Sequence, residues 1–266
     1  MFLSLLQNEW IKTYYRNKFM VFSIIIFSLL LFGVGATLFF ENYDFGENAV
    51  PVDPVGSLGF ALGALNSMSV FVLVFSVVII ISSIVGEYKS GTMKQLLIRP
   101  ISRTQVLLSK WVVAFIVSLG MFVAIAAIGL LLGAIFFSFD TSVIEAISTL
   151  GLWILYNMPA LFFYQAFALC LAVLTRSSAL SLSSVIVLYF VGNIVFMFLL
   201  EFDWSRFIIL ANLSLQDYSS NVHLQVAGGP LLEGMTLGFS LTMIAIYSFV
   251  LLLVPHIIFK KRDVLS

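Results

Sequence analysis

Charged residues are scarce in this chain, and so are the residue types that build catalytic or metal sites. Only 10% of its 266 residues are charged and 61% are hydrophobic, whereas ordinary soluble domains carry about 25% charged residues. A water-soluble fold is therefore excluded. The single cysteine, Cys170, stands in an apolar run. This excludes a disulfide framework and a thiolate metal site, and we expect it to pack as a small hydrophobe.

Motifs for nucleotide binding and catalysis are also missing. The sequence contains no Gly-x-x-x-x-Gly-Lys-Ser/Thr phosphate loop. Its two histidines, His223 and His256, stand in different segments, and no Ser/His/Asp or paired-carboxylate site can be assembled within the apolar runs. We therefore expect this chain to bind no metal and no cofactor, and to have no catalytic residue. The formal net charge of zero gives no indication of a nucleic-acid partner.

Long apolar runs are abundant instead. A helix needs about 20 apolar residues to cross a hydrocarbon core of about 30 Å, and six stretches meet that requirement. They are residues 19–40, 60–85, 111–139, 147–174, 179–200 and 235–259. The sequence thus predicts an all-α integral membrane protein whose residues 19–259 form a six-helix transmembrane domain. Asn157 and Pro159 predict a kink in the fourth span or an interfacial segment before it.

The charged residues are divided unevenly between the two sides of this topology. Twelve of the thirteen lysines and arginines fall on one side, with only Arg206 opposite, and ten of the thirteen acidic residues fall on the other side. Basic residues resist translocation. We therefore expect a multi-pass protein of the bacterial cytoplasmic membrane with both termini in the cytoplasm, residues 260–266 forming a short cytoplasmic tail.

Residues 1–18 have the pattern of an amphipathic helix. Apolar side chains recur at helical spacing at Phe2, Leu3, Leu6, Trp10 and Tyr14. Polar side chains fill the remaining face, at Gln7, Asn8, Glu9, Lys12 and Arg16. The segment lacks a small-residue cleavage site and precedes a span of full length, so it is not read as a signal peptide. We expect it to lie in the headgroup layer; a solvated arm is the alternative.

The connection at residues 86–110 is longer than a linker between two spans requires. Gly91 can turn the chain and Thr92 can cap a helix. Met93, Leu96 and Leu97 then form a short apolar stripe.

A boundary follows this stripe. Pro100 disfavours helical geometry at Arg99, and Ser102 can cap the next helix. The pattern predicts a short amphipathic helix on the membrane surface, where another protein docks. The alternative is a basic anchor with an incidental amphipathic turn.

These residues resemble the signature of the type-2 ABC transporter permeases, the membrane subunits of a group of bacterial ABC exporters. That signature is a glutamate at the inner end of the second span, then Gly-Thr, a leucine pair, and Pro-x-Ser-Arg leading into the third span. Here it is carried by Glu87, Gly91, Thr92, Leu96, Leu97, Pro100, Ser102 and Arg103. The six spans, the N-terminal helix and the cytoplasmic termini extend the resemblance over the whole chain.

The resemblance implies that the loop holds a coupling helix, which fits into a cleft of a separate ABC ATP-binding subunit that binds ATP and Mg²⁺. The residues implied in this contact are Glu87, Gly91, Thr92, Met93, Leu96, Leu97, Arg99, Pro100 and Arg103. It also implies a second permease subunit, identical or homologous, and short re-entrant helices in the outer loop 201–234. By analogy, the expected cargo is an amphipathic molecule such as an antimicrobial peptide, a drug or a lipid-like compound.

The neutral polar residues within the spans allow two interpretations. Asn66, Asn157, Gln165 and Asn193 can form hydrogen bonds between helices, or they can line a translocation path. The spans carry no charged residue or histidine near their centres, although proton-coupled carriers normally keep an acid or a histidine there. This disfavours an ATP-independent secondary transporter, which is the alternative function.

Three Gly-x-x-x-Gly spacings also occur within or beside the spans and permit close helix packing. They join Gly59 to Gly63, Gly129 to Gly133, and Gly234 to Gly238.

Overall fold

The computed structural model describes residues 2–15, 17–42, 55–91, 102–139, 141–225, 229–232 and 234–261. Its α-helices in these ranges are α1 (Phe2–Tyr14), α2 (Asn17–Asn42), α3 (Ser57–Lys89), α4 (Arg103–Phe136), α5 (Val143–Thr175), α6 (Ser178–Met197) and α7 (Leu237–Lys261). Three short 3-10 helices lie between α6 and α7, at Asp203–Phe207, Ile209–Asn212 and Leu215–Tyr218. The protein is thus nearly all-helical.

Helices α2 to α7 are the six helices of the described chain that are long and apolar enough to cross a membrane. They confirm the six predicted spans and make this a multi-pass membrane protein. Helices α3, α4 and α5 have 33 or 34 residues, or about 50 Å at 1.5 Å per residue. They are therefore longer than a bilayer core of about 30 Å and project beyond it.

Some predicted ends are wrong by a few residues. The third span was expected to continue to residue 139, but α4 ends at Phe136 and Phe137 is extended. The reason is a backbone contact, since the Ser57 N–H donates to the Ser138 carbonyl at 2.9 Å. Helix α5 runs without interruption through Pro159, so no separate interfacial segment precedes the fourth span.

Helix α4 begins with the cap that the sequence predicts. The Ser102 hydroxyl accepts a hydrogen bond from the Gln105 N–H, and the Gln105 side chain accepts one from the Ser102 N–H. This reciprocal capping box satisfies two backbone donors that a helix start leaves open. The capping box sets the first residue of α4. It therefore also sets the position along the helix axis of each later side chain, including Lys110.

Helices α3 and α4 pack closely at the end opposite this cap. A Cβ atom on Gly133 would lie 2.6 Å from the Ser57 carbonyl oxygen, and one on Gly129 would lie 3.2 Å from the Ala61 Cα. Close packing at this Gly-x-x-x-Gly pair is therefore confirmed. The other two pairs have no comparable neighbour.

The six long helices differ strongly in how much of their surface is covered by the rest of the protein. Within the apolar window of α3, 67% of the residues are buried, and in α5 56% are buried. The corresponding share is 17% in each of α2, α6 and α7. A central group of α3, α4 and α5 is thus surrounded by three helices that expose most of their apolar surface.

Candidate functional site: an ionic cluster at the basic end

Several helix termini meet at one end of the bundle, which we call the basic end. It comprises α1, the last turn of α3, the first turns of α4, the α5–α6 connection and the last turns of α7. Contacts join these parts directly. The Thr104 hydroxyl lies 2.9 Å from His256 Nδ1, and the Arg176 guanidinium lies 4.8 Å from the centre of the Tyr88 ring. Most basic residues of the chain belong to these segments.

Four charged side chains form a cluster at this end. We call Glu9 and Lys12 of α1, Glu87 of α3 and Lys110 of α4 the ionic cluster. Lys110 Nζ lies 2.7 Å from Glu87 Oε1 and 3.0 Å from Glu9 Oε1. Lys12 Nζ lies 3.0 Å from Glu87 Oε1 and 3.1 Å from Glu9 Oε1. The Oε1 atom of each carboxylate thus lies within 3.1 Å of both ammonium groups, and the two negative charges balance the two positive ones.

Most of the cluster is removed from water. The exposed fraction of the side chain is 0% for Lys110, 7% for Glu9 and 9% for Glu87, against 39% for Lys12. A buried charge is tolerated only when it is paired, because its hydration is lost. Lys110 therefore depends on both carboxylates.

The half-exposed Lys12 has a pKa above its ordinary value of 10.5. Burial by itself would lower this pKa, but the carboxylates of Glu9 and Glu87 outweigh burial and raise it. A raised pKa in the folded state means that Lys12 adds stability below pH 10.5 and loses it as the pH rises through the folded-state pKa. The attachment of α1 through Lys12 is therefore present throughout the neutral range.

Local structure explains how these four side chains meet. Glu9 and Lys12 are three residues apart, so they share one face of α1. Gly91 ends the helical conformation after α3 with a φ of +68°, a left-handed geometry that glycine adopts without strain. Helix α3 therefore ends within one turn of Glu87. The capping box at the start of α4 places Lys110 two turns into that helix, opposite Glu87.

Glu87 keeps one unused acceptor. Its Oε2 atom is buried and has no hydrogen-bond partner among the described residues. Such an atom is unfavourable unless a donor reaches it. Residues 92–101, which follow α3, are the nearest part of the sequence outside the described ranges.

The predicted coupling residues divide into two groups. Glu87 lies in the ionic cluster, Gly91 makes the predicted turn, and Arg103 begins α4. The others lie outside the described residues, so the predicted coupling helix remains a prediction. They are Thr92, Met93, Leu96, Leu97, Arg99 and Pro100.

Sequence reasoning missed three members of the cluster. It assigned Glu9 and Lys12 to the polar face of α1 and gave Lys110 no role. In the structure, Leu5 and Glu9 are the buried residues of α1, whereas Leu3 is 78% exposed. The only available signal was the pairing of opposite charges at i and i+3. That signal fits an exposed helix equally well.

Two of the residues predicted for a translocation path belong to one hydrogen-bonded chain. The Trp153 indole N–H donates to Asn66 Oδ1 at 3.0 Å. Asn157 Nδ2 donates to the Trp153 carbonyl at 2.8 Å and to Gln216 Oε1 at 3.2 Å. This chain links α3, α5 and the third 3-10 helix at the end opposite the ionic cluster.

The other two predicted path residues lie elsewhere. Gln165 is fully buried, and its Nε2 donates to the Ser118 hydroxyl of α4 at 3.0 Å. Asn193 is exposed on α6 and donates to the Tyr189 carbonyl of its own helix. The four side chains are therefore not brought together, and three of them form hydrogen bonds between elements.

Comparison with known proteins places the chain in a family. Residues 49–265 match the family described as a protein of unknown function, DUF2705. The uncharacterized protein YhcI of Bacillus subtilis (strain 168) is 29% identical over 248 residues, which cover 87% of this chain and 77% of the relative. The uncharacterized membrane protein YdbK of the same strain is 29% identical over 206 residues, covering 74% and 80%. This six-helix membrane protein is therefore a member of the DUF2705 family.

Proposed function

We propose that the chain is the membrane-spanning permease subunit of an ABC exporter. A separate ATP-binding subunit docks at the basic end and drives the export of an amphipathic cargo. The observation that carries this proposal is the ionic cluster, which joins α1 to both helices flanking residues 92–101. A docking loop is useful for energy transfer only if its two ends are firmly connected to the spans.

The helices that flank this loop meet that requirement. Helix α3 is the most buried of the six long helices, and Glu87 joins its last turn to Lys110 of α4 and to Lys12 of α1. A push on the loop therefore reaches the centre of the bundle as well as the N-terminal helix.

A buried ion pair is weak evidence for stability by itself. Apolar side chains of similar size often stabilise a fold as well or better, because no charge loses its hydration. Charged groups in such a place are better explained by the geometry that they impose. Here they set the position of α1 relative to the ends of α3 and α4.

The charge distribution supports docking from the cytoplasm. The basic end contains the residues that favour retention inside the cell, so in this proposal it faces the cytoplasm of a bacterium and carries both termini. Leu3, Trp10 and Tyr14 of α1 are 78%, 45% and 59% exposed. Such apolar and aromatic side chains suit a helix in the headgroup layer. ATP and Mg²⁺ then bind to the partner, and a second permease subunit completes the complex.

A co-purification experiment tests the proposal. The tagged chain is purified from membranes of its native host, and accompanying subunits are identified by mass spectrometry. We expect a subunit with a Gly-x-x-x-x-Gly-Lys-Ser/Thr loop and vanadate-sensitive ATP hydrolysis. Replacing residues 93–99 by a seven-residue Gly/Ser linker removes that subunit. The same linker in place of residues 44–50, on the opposite side of the predicted topology, leaves it bound.

Two results would contradict the proposal. One is a pure chain without any ATPase, and the other is an ATPase that stays bound after residues 93–99 are replaced. Cargo movement by the chain alone in liposomes, driven by an ion gradient, would favour the secondary transporter instead.

A further inference from the structure

A deep apolar groove lies between α1, α2 and α4, on a different side of α1 from the ionic cluster. Its volume is about 320 Å³, within the usual range for ligand sites in proteins. One wall is formed within residues 19–30 of α2 and the other within residues 116–128 of α4, while Trp10, Thr13 and Tyr14 of α1 close one end. The groove therefore begins at the basic end.

The depth of the groove corresponds to one leaflet of a bilayer. Residues 19–30 span about 16 Å at 1.5 Å per residue, and half of a hydrocarbon core is about 15 Å. Leu30 lies near the middle of α2, which covers Asn17–Asn42. The groove thus reaches from the membrane surface at the basic end to about the bilayer centre.

The walls offer hydrocarbon contact and few free polar groups. The Ser23 hydroxyl donates to the Phe19 carbonyl at 2.9 Å, and the Thr13 hydroxyl donates to the Glu9 carbonyl at 2.8 Å. Both hydroxyl protons are therefore used within their own helices. A ligand portion that enters the groove is stabilised by apolar burial.

The entrance has the opposite character. Trp10 and Tyr14 carry the amphipathic rings that are favoured at the headgroup level. Twelve of the thirteen basic residues belong to this side of the chain, against three acidic residues. Two of those three acids, Glu9 and Glu87, are already neutralised by Lys12 and Lys110. Basic residues thus outnumber acidic ones on the side of the predicted topology from which the groove opens, and such an excess favours an anionic headgroup.

We propose that this groove binds one acyl chain of an anionic phospholipid from the leaflet at the basic end, with the headgroup beside α1. Helix α1 is then held from two sides, by the ionic cluster and by the lipid. Occupancy requires only the membrane, so it does not depend on an ATPase partner.

Photolabelling tests this site. The full chain is placed in nanodiscs of phosphatidylcholine with increasing fractions of phosphatidylglycerol that carries a diazirine in one acyl chain. We expect labelling of residues 116–128 to saturate at a low probe fraction. Labelling of the exposed α7 surface at Phe249 and Val250 should rise in proportion to the probe. A phosphatidylcholine probe with the same diazirine should label the groove roughly five-fold less than the phosphatidylglycerol probe. This ratio is what the attraction between one basic side chain and an anionic headgroup produces.

Two variants fill the groove. Gly120 and Ala124 both line the groove. The substitutions Gly120→Leu and Ala124→Leu each add apolar volume inside it. A Cβ atom on Gly120 has no neighbour within 4 Å, so the first substitution causes no backbone clash. We expect labelling of residues 116–128 to fall about tenfold, the effect of excluding two methylene groups. Gly151→Leu is the matched control, because Gly151 is an exposed helical glycine with no neighbour and lies outside the groove.

Three outcomes would overturn the lipid site. Labelling of residues 116–128 that rises linearly, as on α7, would indicate ordinary boundary lipid. Equal labelling by both headgroups would exclude an anionic ligand. Cross-linking of this segment to a second copy of the chain would show a protein contact instead. The saturation experiment on the unmodified chain decides the matter even if a variant fails to fold, and no outcome depends on ATP hydrolysis.

Discussion

The two ends of the helix bundle are joined by different kinds of interaction. At the basic end, three helices meet in the ionic cluster, where Lys110 is fully buried between two carboxylates. At the opposite end, several contacts between elements join neutral side chains. Trp153 donates to Asn66, Asn221 donates to Thr149 at 3.2 Å, and the hydroxyls of Tyr218 and Ser240 lie 2.9 Å apart.

This difference has energetic consequences. Removing one member of a buried ionic group leaves an unpaired charge, so the three helices at the basic end depend on each other. Each neutral hydrogen bond between membrane helices contributes only about 0.6 kcal/mol on average. The opposite end therefore tolerates the loss of single contacts, whereas the basic end responds as a unit.

Lys110→Met is expected to have the largest effect on this comparison. It leaves Glu9 and Glu87 with only Lys12 between them, and breaking a buried ion pair costs about 3–5 kcal/mol. The free energy of unfolding, measured by SDS titration in mixed micelles, should fall by that amount. Protease sensitivity of α1 should rise in parallel.

Two variants show whether charge causes this loss. Lys89→Met removes an exposed lysine two residues after Glu87 and should change the free energy of unfolding by less than about 0.5 kcal/mol. Adding Glu87→Gln to Lys110→Met restores the charge balance between Glu9 and Lys12, so stability should partly recover. A double variant no more stable than Lys110→Met would show that packing, not charge, is responsible.

Gly133→Ala tests the close contact at the opposite end. Its Cβ would lie 2.6 Å from the Ser57 carbonyl oxygen, so α3 and α4 must separate, at a cost of about 1–3 kcal/mol. Gly151→Ala meets no neighbour and should stabilise its helix by up to about 1 kcal/mol. Thermal unfolding in detergent should move in opposite directions for the two variants. An equal response would mean that the two helices can separate freely.

Gln165→Met, at a site between the two ends of the bundle, should change the free energy of unfolding least. Gln165 Oε1 is buried without a partner among the described residues, and the Ser118 hydroxyl keeps its bond to the Ala114 carbonyl. Losing one weak hydrogen bond is offset by removing a buried acceptor. The free energy of unfolding should therefore stay within about 1 kcal/mol of the unmodified value.

The same variant separates the two interpretations of the polar residues. If Gln165→Met folds normally but abolishes cargo transport by the complete complex, Gln165 lines the translocation path. Unchanged transport would show that it serves only contact between α4 and α5. A large loss of stability would mean that its Oε1 atom has a partner that the described residues do not include.

Much of the architecture was predictable because apolar runs of spanning length have few alternative structures. Without water, backbone polar groups must be satisfied within the segment, so such a run becomes a helix. The capping box at Ser102 was predictable for a similar local reason. The end of α4 at Phe136 was not, because the backbone contact between Ser57 and Ser138 joins residues far apart in sequence.

The candidate site was only partly predictable. Glu87 stood out through its place at the end of a span and through the resemblance to permeases. Glu9, Lys12 and Lys110 did not, because charged residues outside the apolar runs are normally solvated. Their burial depends on the approach of three helices, and Lys12 and Glu87 are 75 residues apart.

The apolar runs alone were enough to predict six helices long and apolar enough to cross a membrane, and the positions of the lysines and arginines predict one common side for nearly all of them. These properties follow from the transfer of side chains into hydrocarbon, which each segment undergoes largely independently. Tertiary packing was needed for Glu9 of α1 to be buried and for the ionic cluster to form. It also decided which glycine pair joins two helices and that a groove opens between α1, α2 and α4. Each of these depends on the distance between segments that are remote along the chain, and local propensity carries no information about that distance.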